Sequence, residues 1–245
     1  MSTKSLQVFD GKIRILKQHL QLADLALTMA NKECNRMKGN GKRINETLYA
    51  KHGTHNQLNH PNESIDIRRT FITSRNKLNE QAIVDLYSVF SLYISDLVEE
   101  MSKKNPRKIL SLMNDKNEAV INFPDLIKLG SYDAILSEMS RRIYRSLESE
   151  RSTPKLLKRF IKFTKIQICQ NLLDEALLYL EVRHLIIHNA SKADAKFKSM
   201  NSSSLVNLKN KDRIDTCYDL SNTSINKVYE LCHRIDNELQ RLGLL

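Results

Sequence analysis

Glycine and proline are scarce in this sequence. Its 245 residues include only 6 glycines and 4 prolines, whereas these two residues together make up roughly 12% of ordinary proteins. An all-β sandwich or barrel needs a turn about every 8–12 residues, and turns draw on these residues. The sequence therefore argues against a many-stranded β-fold. Because 41% of the residues are apolar, it also excludes a low-complexity chain and favours long helices around a substantial core.

Paired cysteines and long apolar runs are lacking as well. The four cysteines, Cys34, Cys169, Cys217 and Cys232, lie far apart with no CxxC spacing, which favours free thiols in a reducing compartment over disulfides or zinc. The first ten residues contain no apolar segment of a secretory signal. No run approaches the ~18 uninterrupted apolar residues of a membrane-spanning helix. We therefore expect a soluble, cytoplasmic protein without membrane association.

Positive charge is in excess, with 39 Lys+Arg against 28 Asp+Glu and a formal net charge of +11. Such an excess attracts polyanions, so RNA, DNA and an anionic membrane are all candidate partners. Net charge alone does not choose among them. The choice depends on whether the charge is gathered on one surface.

The apolar residues recur every three or four positions, which predicts an all-α fold. We predict one helical domain over residues 1–245, in four parts. These are an N-terminal helix and polar loop (1–62), core helices (63–190), a polar loop (191–220), and a C-terminal helix (221–245) capped by Ser221. The strongest period runs from Leu78 to Met101 and predicts a long amphipathic helix. The first polar loop carries His52, His55 and His60, but no Cys or paired acid completes a metal-ligand set, so we predict no metal.

A basic helix is predicted to begin at Thr153-Pro154, with Thr as the N-cap and Pro at the first helical position. At about 100° per residue, its basic residues fall on one face and its apolar residues on the other. The basic face comprises Lys155, Lys158, Arg159, Lys162 and Lys165. Such a face can follow RNA phosphates. The alternatives are a solvated helix face, a membrane-surface helix or a partner-binding helix.

The next predicted helix, residues 171–190, is apolar almost all round but ends in a polar cluster. The cluster comprises Glu181, Arg183, His184, His188 and Asn189. Burying these groups without partners would cost several kcal/mol, so the cluster requires an explanation. Glu181, His184 and His188 share one stripe, whereas Arg183 and His188 lie about 140° apart on the helix. A long Arg side chain, a helix that ends at His188, or a second copy across a two-fold axis would bring the last two together.

The Arg-x4-His spacing occurs twice, and the context separates the two matches. Arg14 and His19 have Lys17 and Gln18 between them and no polar residue after the His, and we interpret this match as chance. Arg183 is followed by the polar His184, three apolar residues, and then His188-Asn189.

This second context resembles the motif of the HEPN superfamily, which comprises helical bundles that include many prokaryotic ribonucleases. The family motif is Arg-x4–6-His on a late helix, often with a polar residue after the Arg. The predicted helix from Leu78 to Met101 is similar to the family's early core helix. The resemblance covers residues 65–190 and the last helix, and the first 60 residues carry no family feature.

The resemblance implies an up-and-down bundle with long central helices, a two-fold dimer, and metal-independent cleavage of RNA that uses the ribose 2′-OH as nucleophile. By this resemblance His188 is the general acid/base, Arg183 binds the scissile phosphate, and His184 and Asn189 orient the substrate or neighbouring side chains. Glu181 is assigned to holding a histidine tautomer. The resemblance also implies no cofactor, a role in defence or toxicity, and restraint by a partner protein.

Two other functions fit the same residues. One is a non-catalytic module that binds RNA or a nucleotide through the basic helix. The other is a dimeric adaptor in which the apolar helix is only a subunit interface. The cluster residues also have purely structural interpretations. His184 continues the apolar stripe and could be a satisfied core histidine, and Arg183 could form a structural ion pair with Glu181 or with an acid of another helix.

Overall fold

The computed structural model describes residues 2–37, 64–109, 121–148 and 153–245, and helix dominates them, which confirms the all-α prediction. The helices are α1 (Lys4–Met37), α2 (Ser64–Lys104), α3 (Pro106–Ile109), α4 (Phe123–Leu129), α5 (Tyr132–Glu148), α6 (Thr153–Thr164), α7 (Gln170–His188), α8 (Ala195–Met200) and α9 (Tyr218–Arg241). Between α8 and α9, strands β1 (Leu208–Lys209) and β2 (Arg213–Ile214) form a short antiparallel hairpin.

Helix α2 is the centre of the bundle. It contacts α1, α5, α7 and α9, and its apolar residues repeat every three or four positions, as the sequence predicts. Leu86, Phe90, Ile94, Leu97 and Met101 are all buried. Helices α1 and α7 each pack against α2, and α9 contacts all three of these helices. This arrangement places α1 and α7 on different sides of the α2/α9 pair.

Two buried polar groups of this core form hydrogen bonds between elements. The Tyr93 hydroxyl of α2 donates to the carbonyl of Cys232 in α9 at 3.0 Å, and Thr3 hydrogen-bonds the buried carboxylate of Asp236. Burial, together with the nearby charges of Asp10 and Asp236, raises the pKa of the Cys232 thiol. The thiol therefore stays protonated and unreactive in the folded chain.

Several predicted helix boundaries differ from the structure. Helix α2 begins at Ser64, well before Leu78. Residues 69–73 are mostly exposed, so this part of the helix lacks the apolar period. Ser221 does not cap α9, which begins at Tyr218. Its hydroxyl lies inside the helix and donates to the Asn79 carbonyl at 3.1 Å.

Residues 191–220, which the sequence predicts to be a polar loop, contain short regular elements. This segment contains α8, the β1–β2 hairpin and the first turn of α9. The Asp194 side chain caps α8 by accepting a hydrogen bond from the Phe197 backbone N–H at 2.7 Å. Phe197, Val206 and Ile214 are buried in a cluster with α7 residues. The apolar residues of this segment do not recur at a helical period over several turns, which is why the sequence pattern missed these three.

Other predictions fall on residues 38–63, which lie outside the described residues. These are the polar loop and its histidines, His52, His55 and His60. Among the residues that the structure does describe, no group of three or more His, Cys, Asp or Glu could hold a metal ion.

One segment within the described ranges, Arg69–Lys104 of α2, is long and apolar enough to cross a membrane by length and composition alone. In the structure, 44% of its apolar window is buried inside the protein. Burial against α1, α5, α7 and α9 accounts for this apolar character, since the central helix of a bundle is apolar on several sides.

Candidate active site on helix α7

Helix α7 is buried in its middle and reaches the surface of the protein at its C-terminal end. Its middle residues, from Ala176 to Val182, are all buried, whereas His184, Ile187 and His188 are exposed. The emergence of the helix at the surface removes most of the desolvation cost that the polar cluster would otherwise carry. It also excludes His184 as a core histidine.

Glu181 is the buried member of the cluster. Its Oε1 accepts a hydrogen bond from Nζ of Lys196 in α8 at 2.5 Å. The carboxylate is therefore held by Lys196 rather than by Arg183 or His184. Sequence reasoning missed Lys196, because it lies in the segment predicted as a loop and only the fold of α8 brings it to Glu181.

The two histidines lie side by side at the surface. The ring centroids of His184 and His188 are 4.8 Å apart, with their planes tilted by 45°. This contact follows from their spacing of four residues, which places them one above the other on the helix. Among the described residues, neither imidazole has a hydrogen-bond partner, so their ring nitrogens are open to a substrate.

Arg183 points to a different neighbour. The Cζ atom of its guanidinium lies 4.5 Å from the centroid of the Tyr87 ring in α2, a cation–π contact. Its Nε is buried and has no hydrogen-bond partner, and no carboxylate among the described residues pairs with it. The structural ion pair considered from the sequence is therefore absent there. A buried donor left without a partner is costly, and no group among the described residues offsets that cost at Arg183.

Within one chain, the structure does not bring Arg183 and His188 together. The helix continues to His188, so the angle of about 140° between the two residues is kept. Arg183 lies against α2, and His188 faces solvent beside His184. One subunit alone therefore presents these groups on two separate faces.

Asn189 is the C-cap residue of α7. Its backbone N–H donates to the Leu185 carbonyl at 3.0 Å, and its Nδ2 donates to the Lys192 carbonyl at 2.7 Å. Ala190 and Ser191 then adopt positive φ values of 49° and 61°, which end α7 two residues before the predicted boundary. Asn189 therefore fixes the turn that follows His188.

The basic face on α6 is largely as predicted. Lys155, Lys158 and Lys162 are exposed on one side of the helix. Arg159 is half-buried and engaged in a contact within the protein. Lys165 is exposed but lies beyond the end of α6 with φ of 57°, so the helical spacing does not set its direction.

A groove of about 690 Å³ joins this face to α7. It is lined by Pro154, Lys158, Asn171, Asp174, Glu175, Leu177, Leu178, Lys196, Met200, Ser202, Ser203 and Leu205. Asp174 and Leu177 lie on the same side of α7 as His188, which is about 16 Å further along the axis from Leu177. The groove is therefore aligned with the histidines.

Comparison of the chain with family models, with curated proteins and with solved structures finds no match. The resemblance to the HEPN superfamily accordingly rests on the motif from Arg183 to Asn189 and on the helical organisation around it.

Proposed function

We propose that this protein is a metal-independent endoribonuclease with a HEPN-type bundle, which cleaves RNA through attack of the ribose 2′-OH. The observation that carries the proposal is Arg183, whose Nε is buried without a partner. It lies five residues before His188, one of two imidazoles that are open to solvent.

The proposed chemistry divides between these side chains. An imidazole exchanges protons near neutral pH, so His188 takes the proton of the 2′-OH and returns a proton to the departing 5′-oxygen. The 2′-oxygen forms a bond to phosphorus as the bond to the 5′-oxygen breaks. Arg183 binds the phosphate and stabilises its developing negative charge. His184, in ring contact with His188, orients that imidazole.

A second copy of the chain completes the site in this proposal. Because Arg183 and His188 lie on different faces of α7, a two-fold axis beside the helix would place Arg183 opposite the partner subunit's His188. The exposed Ile187 between them supports an interface at this surface. The dimer then contains two equivalent sites.

Product analysis tests the reaction. The purified protein, incubated with single-stranded RNA and excess EDTA, is expected to produce fragments with 2′,3′-cyclic phosphate and 5′-hydroxyl ends. These ends follow from internal attack by the 2′-oxygen without a metal. An absence of cleavage, a requirement for a divalent cation, or 3′-hydroxyl ends would each contradict the proposal.

The exposed lysines of α6 favour a second candidate, a module that binds RNA without cleaving it. In either function Lys158→Glu with Lys162→Glu is expected to weaken RNA binding roughly tenfold near 0.15 M salt and to lower the salt slope by about two, because two phosphate contacts are lost. Fluorescence anisotropy over a salt series measures both quantities.

Lys128→Glu, at an exposed position on α4, is the matched control and is expected to leave RNA affinity almost unchanged. Equal losses in the control and in the α6 variant would contradict a specific role for the α6 face. An absence of any RNA affinity in the unaltered protein would favour the adaptor function instead.

A further inference from the structure

The segment that follows α7 has a surplus of positive charge at the surface. Residues 189–215 contain three aspartates and six basic residues, and all six basic residues are exposed. The basic residues are Lys192, Lys196, Lys198, Lys209, Lys211 and Arg213. Such a surface attracts anions.

Acidic side chains neutralise only half of these basic residues. Lys196 pairs with Glu181 of α7, as described above. The other two ion pairs join Lys198 to Asp212 at 2.7 Å and Lys209 to Asp215 at 2.5 Å. The third aspartate of the segment, Asp194, caps α8. Among the described residues, no carboxylate pairs with the remaining three cations, which are Lys192, Lys211 and Arg213.

The backbone holds two of these unpaired cations close together. Lys192 and Arg213 lie directly opposite each other in an antiparallel bridge. The backbone hydrogen bonds of the bridge, 2.9 and 2.8 Å long, lie on either side of this pair, between the residues that neighbour it. In such a pair the Cα atoms are ~4.5 Å apart and both side chains project from the same face. Like charges in this position repel each other, and a bound anion would relieve that repulsion.

A third basic side chain extends this pair into a row. Lys209 of β1 lies opposite Arg213 of β2 on its other side, so Lys192, Arg213 and Lys209 lie side by side across three backbone segments. We call these three residues the basic row. Ile214, the neighbour of Arg213, is buried, so the row faces solvent. Asp215 holds Lys209 on this face, and three positive charges with one negative charge leave a net charge of +2 there.

The basic row begins next to the proposed active site. Lys192 lies in the turn after α7, where its backbone N–H donates to the Asn189 carbonyl at 3.0 Å. Its own carbonyl accepts a hydrogen bond from Nδ2 of Asn189 at 2.7 Å. The Cα atoms at the two ends of such a turn are less than ~7 Å apart, and Asn189 directly follows His188. The Cα atoms of Lys192 and His188 are therefore within about 11 Å of each other.

We propose that Lys192 and Arg213 form a binding site for a phosphodiester group of single-stranded RNA and hold the strand beside His188. Phosphate oxygens accept charge-assisted hydrogen bonds from both side chains, and the guanidinium can donate two of them in parallel. The identity of RNA as the ligand rests on the proposed ribonuclease function. The anion site itself rests on the two opposed charges.

A membrane surface fits the basic row less well than RNA does. Basic clusters that recognise anionic lipids contain about 4–8 lysines and arginines, whereas the row has a net charge of +2. The side chains that the row presents to solvent are polar, so this face offers no apolar group for insertion between lipids.

Binding of a fluorescein-labelled, single-stranded 2′-O-methyl RNA tests the site. This probe lacks the 2′-OH that cleavage requires, so it measures affinity alone. In the full-length protein, Lys192→Gln with Arg213→Gln is expected to weaken binding roughly tenfold near 0.15 M salt. The salt slope is expected to fall by about 1.4, because each phosphate contact with a single strand contributes ~0.7.

Arg14→Gln with Lys128→Gln is the matched control, because it removes the same charge at exposed positions on α1 and α4. It is expected to weaken binding less than about twofold, and circular dichroism verifies that both variants are folded. Equal losses in the two variants, or full affinity in Lys192→Gln with Arg213→Gln, would overturn the site.

Lys192→Glu separates the anion site from a purely structural role of the same pair. Glu opposite Arg213 replaces repulsion with attraction, so the melting temperature is expected to rise by roughly 1–3 °C while affinity for the probe falls. A structural role alone would leave the affinity unchanged. A fall in melting temperature would contradict the opposed charges.

Competition experiments identify the ligand. Inorganic phosphate that displaces the probe as effectively as unlabelled RNA at equal phosphate concentration would overturn RNA as the ligand. Binding to phosphatidylserine vesicles that depends on Lys192 and Arg213, without binding to the probe, would overturn it as well. A protein that binds the probe through these two residues but cleaves no RNA would contradict the proposed function and leave the anion site intact.

Discussion

Replacing His188 with alanine is expected to lower the rate of RNA cleavage by roughly 10²–10⁴-fold, the usual contribution of a general acid–base catalyst. Arg183→Ala is expected to lower it by roughly 10²–10³-fold, because the developing phosphate charge then lacks its donor. Neither change should greatly affect folding. His188 is exposed. Arg183→Ala loses the contact with Tyr87 but also removes a buried donor that has no partner.

Arg14 and His19 are the control positions for these two variants. Arg14 and His19 have the same Arg-x4-His spacing and are both exposed on α1. Arg14→Ala and His19→Ala are expected to retain the cleavage rate of the unaltered protein. Single-turnover cleavage of labelled RNA, with circular dichroism to verify folding, compares the four variants. Full activity in Arg183→Ala and His188→Ala would contradict the site.

Phe197→Ala is expected to destabilise the fold by about 3–5 kcal/mol, the usual cost of removing a fully buried aromatic ring. Phe197 has no exposed surface and packs in the cluster that includes Leu178 and Val182 of α7. Its loss leaves a cavity between α7 and the segment that follows it.

Urea denaturation measures this effect as a change in the free energy of unfolding. Ser199→Ala, two residues along α8 and exposed, is the matched control, and we expect it to change that free energy by less than about 0.5 kcal/mol. A loss below about 1 kcal/mol in Phe197→Ala would show that the segment is not packed as described.

The long helices could be predicted because a period needs several turns to become visible. The repeat from Leu78 to Met101 extends over six turns and places α2 at the centre of the core. The segment after α7 could not be predicted in this way. Phe197, Val206 and Ile214 are separated by mostly polar residues, and each is buried in a cluster that the fold assembles with α7 residues.

In the candidate site, the features that depend on spacing within one helix were predictable from the sequence, and the contacts between helices were not. The spacing of His184 and His188 predicts one stripe, and the ring contact between them confirms it. The separation of Arg183 from His188 also follows from helical geometry. The contacts of Arg183 with Tyr87 and of Glu181 with Lys196 join different helices, so no local pattern in the sequence could reveal them.

Mixing two inactive variants tests the central claim most directly, that Arg183 and His188 act together across two subunits. In an equimolar mixture of Arg183→Ala and His188→Ala chains, half of the dimers are mixed, and each mixed dimer keeps one complete site. The account predicts recovery of about one quarter of the cleavage activity of the unaltered protein. A mixture no more active than either variant alone would contradict it.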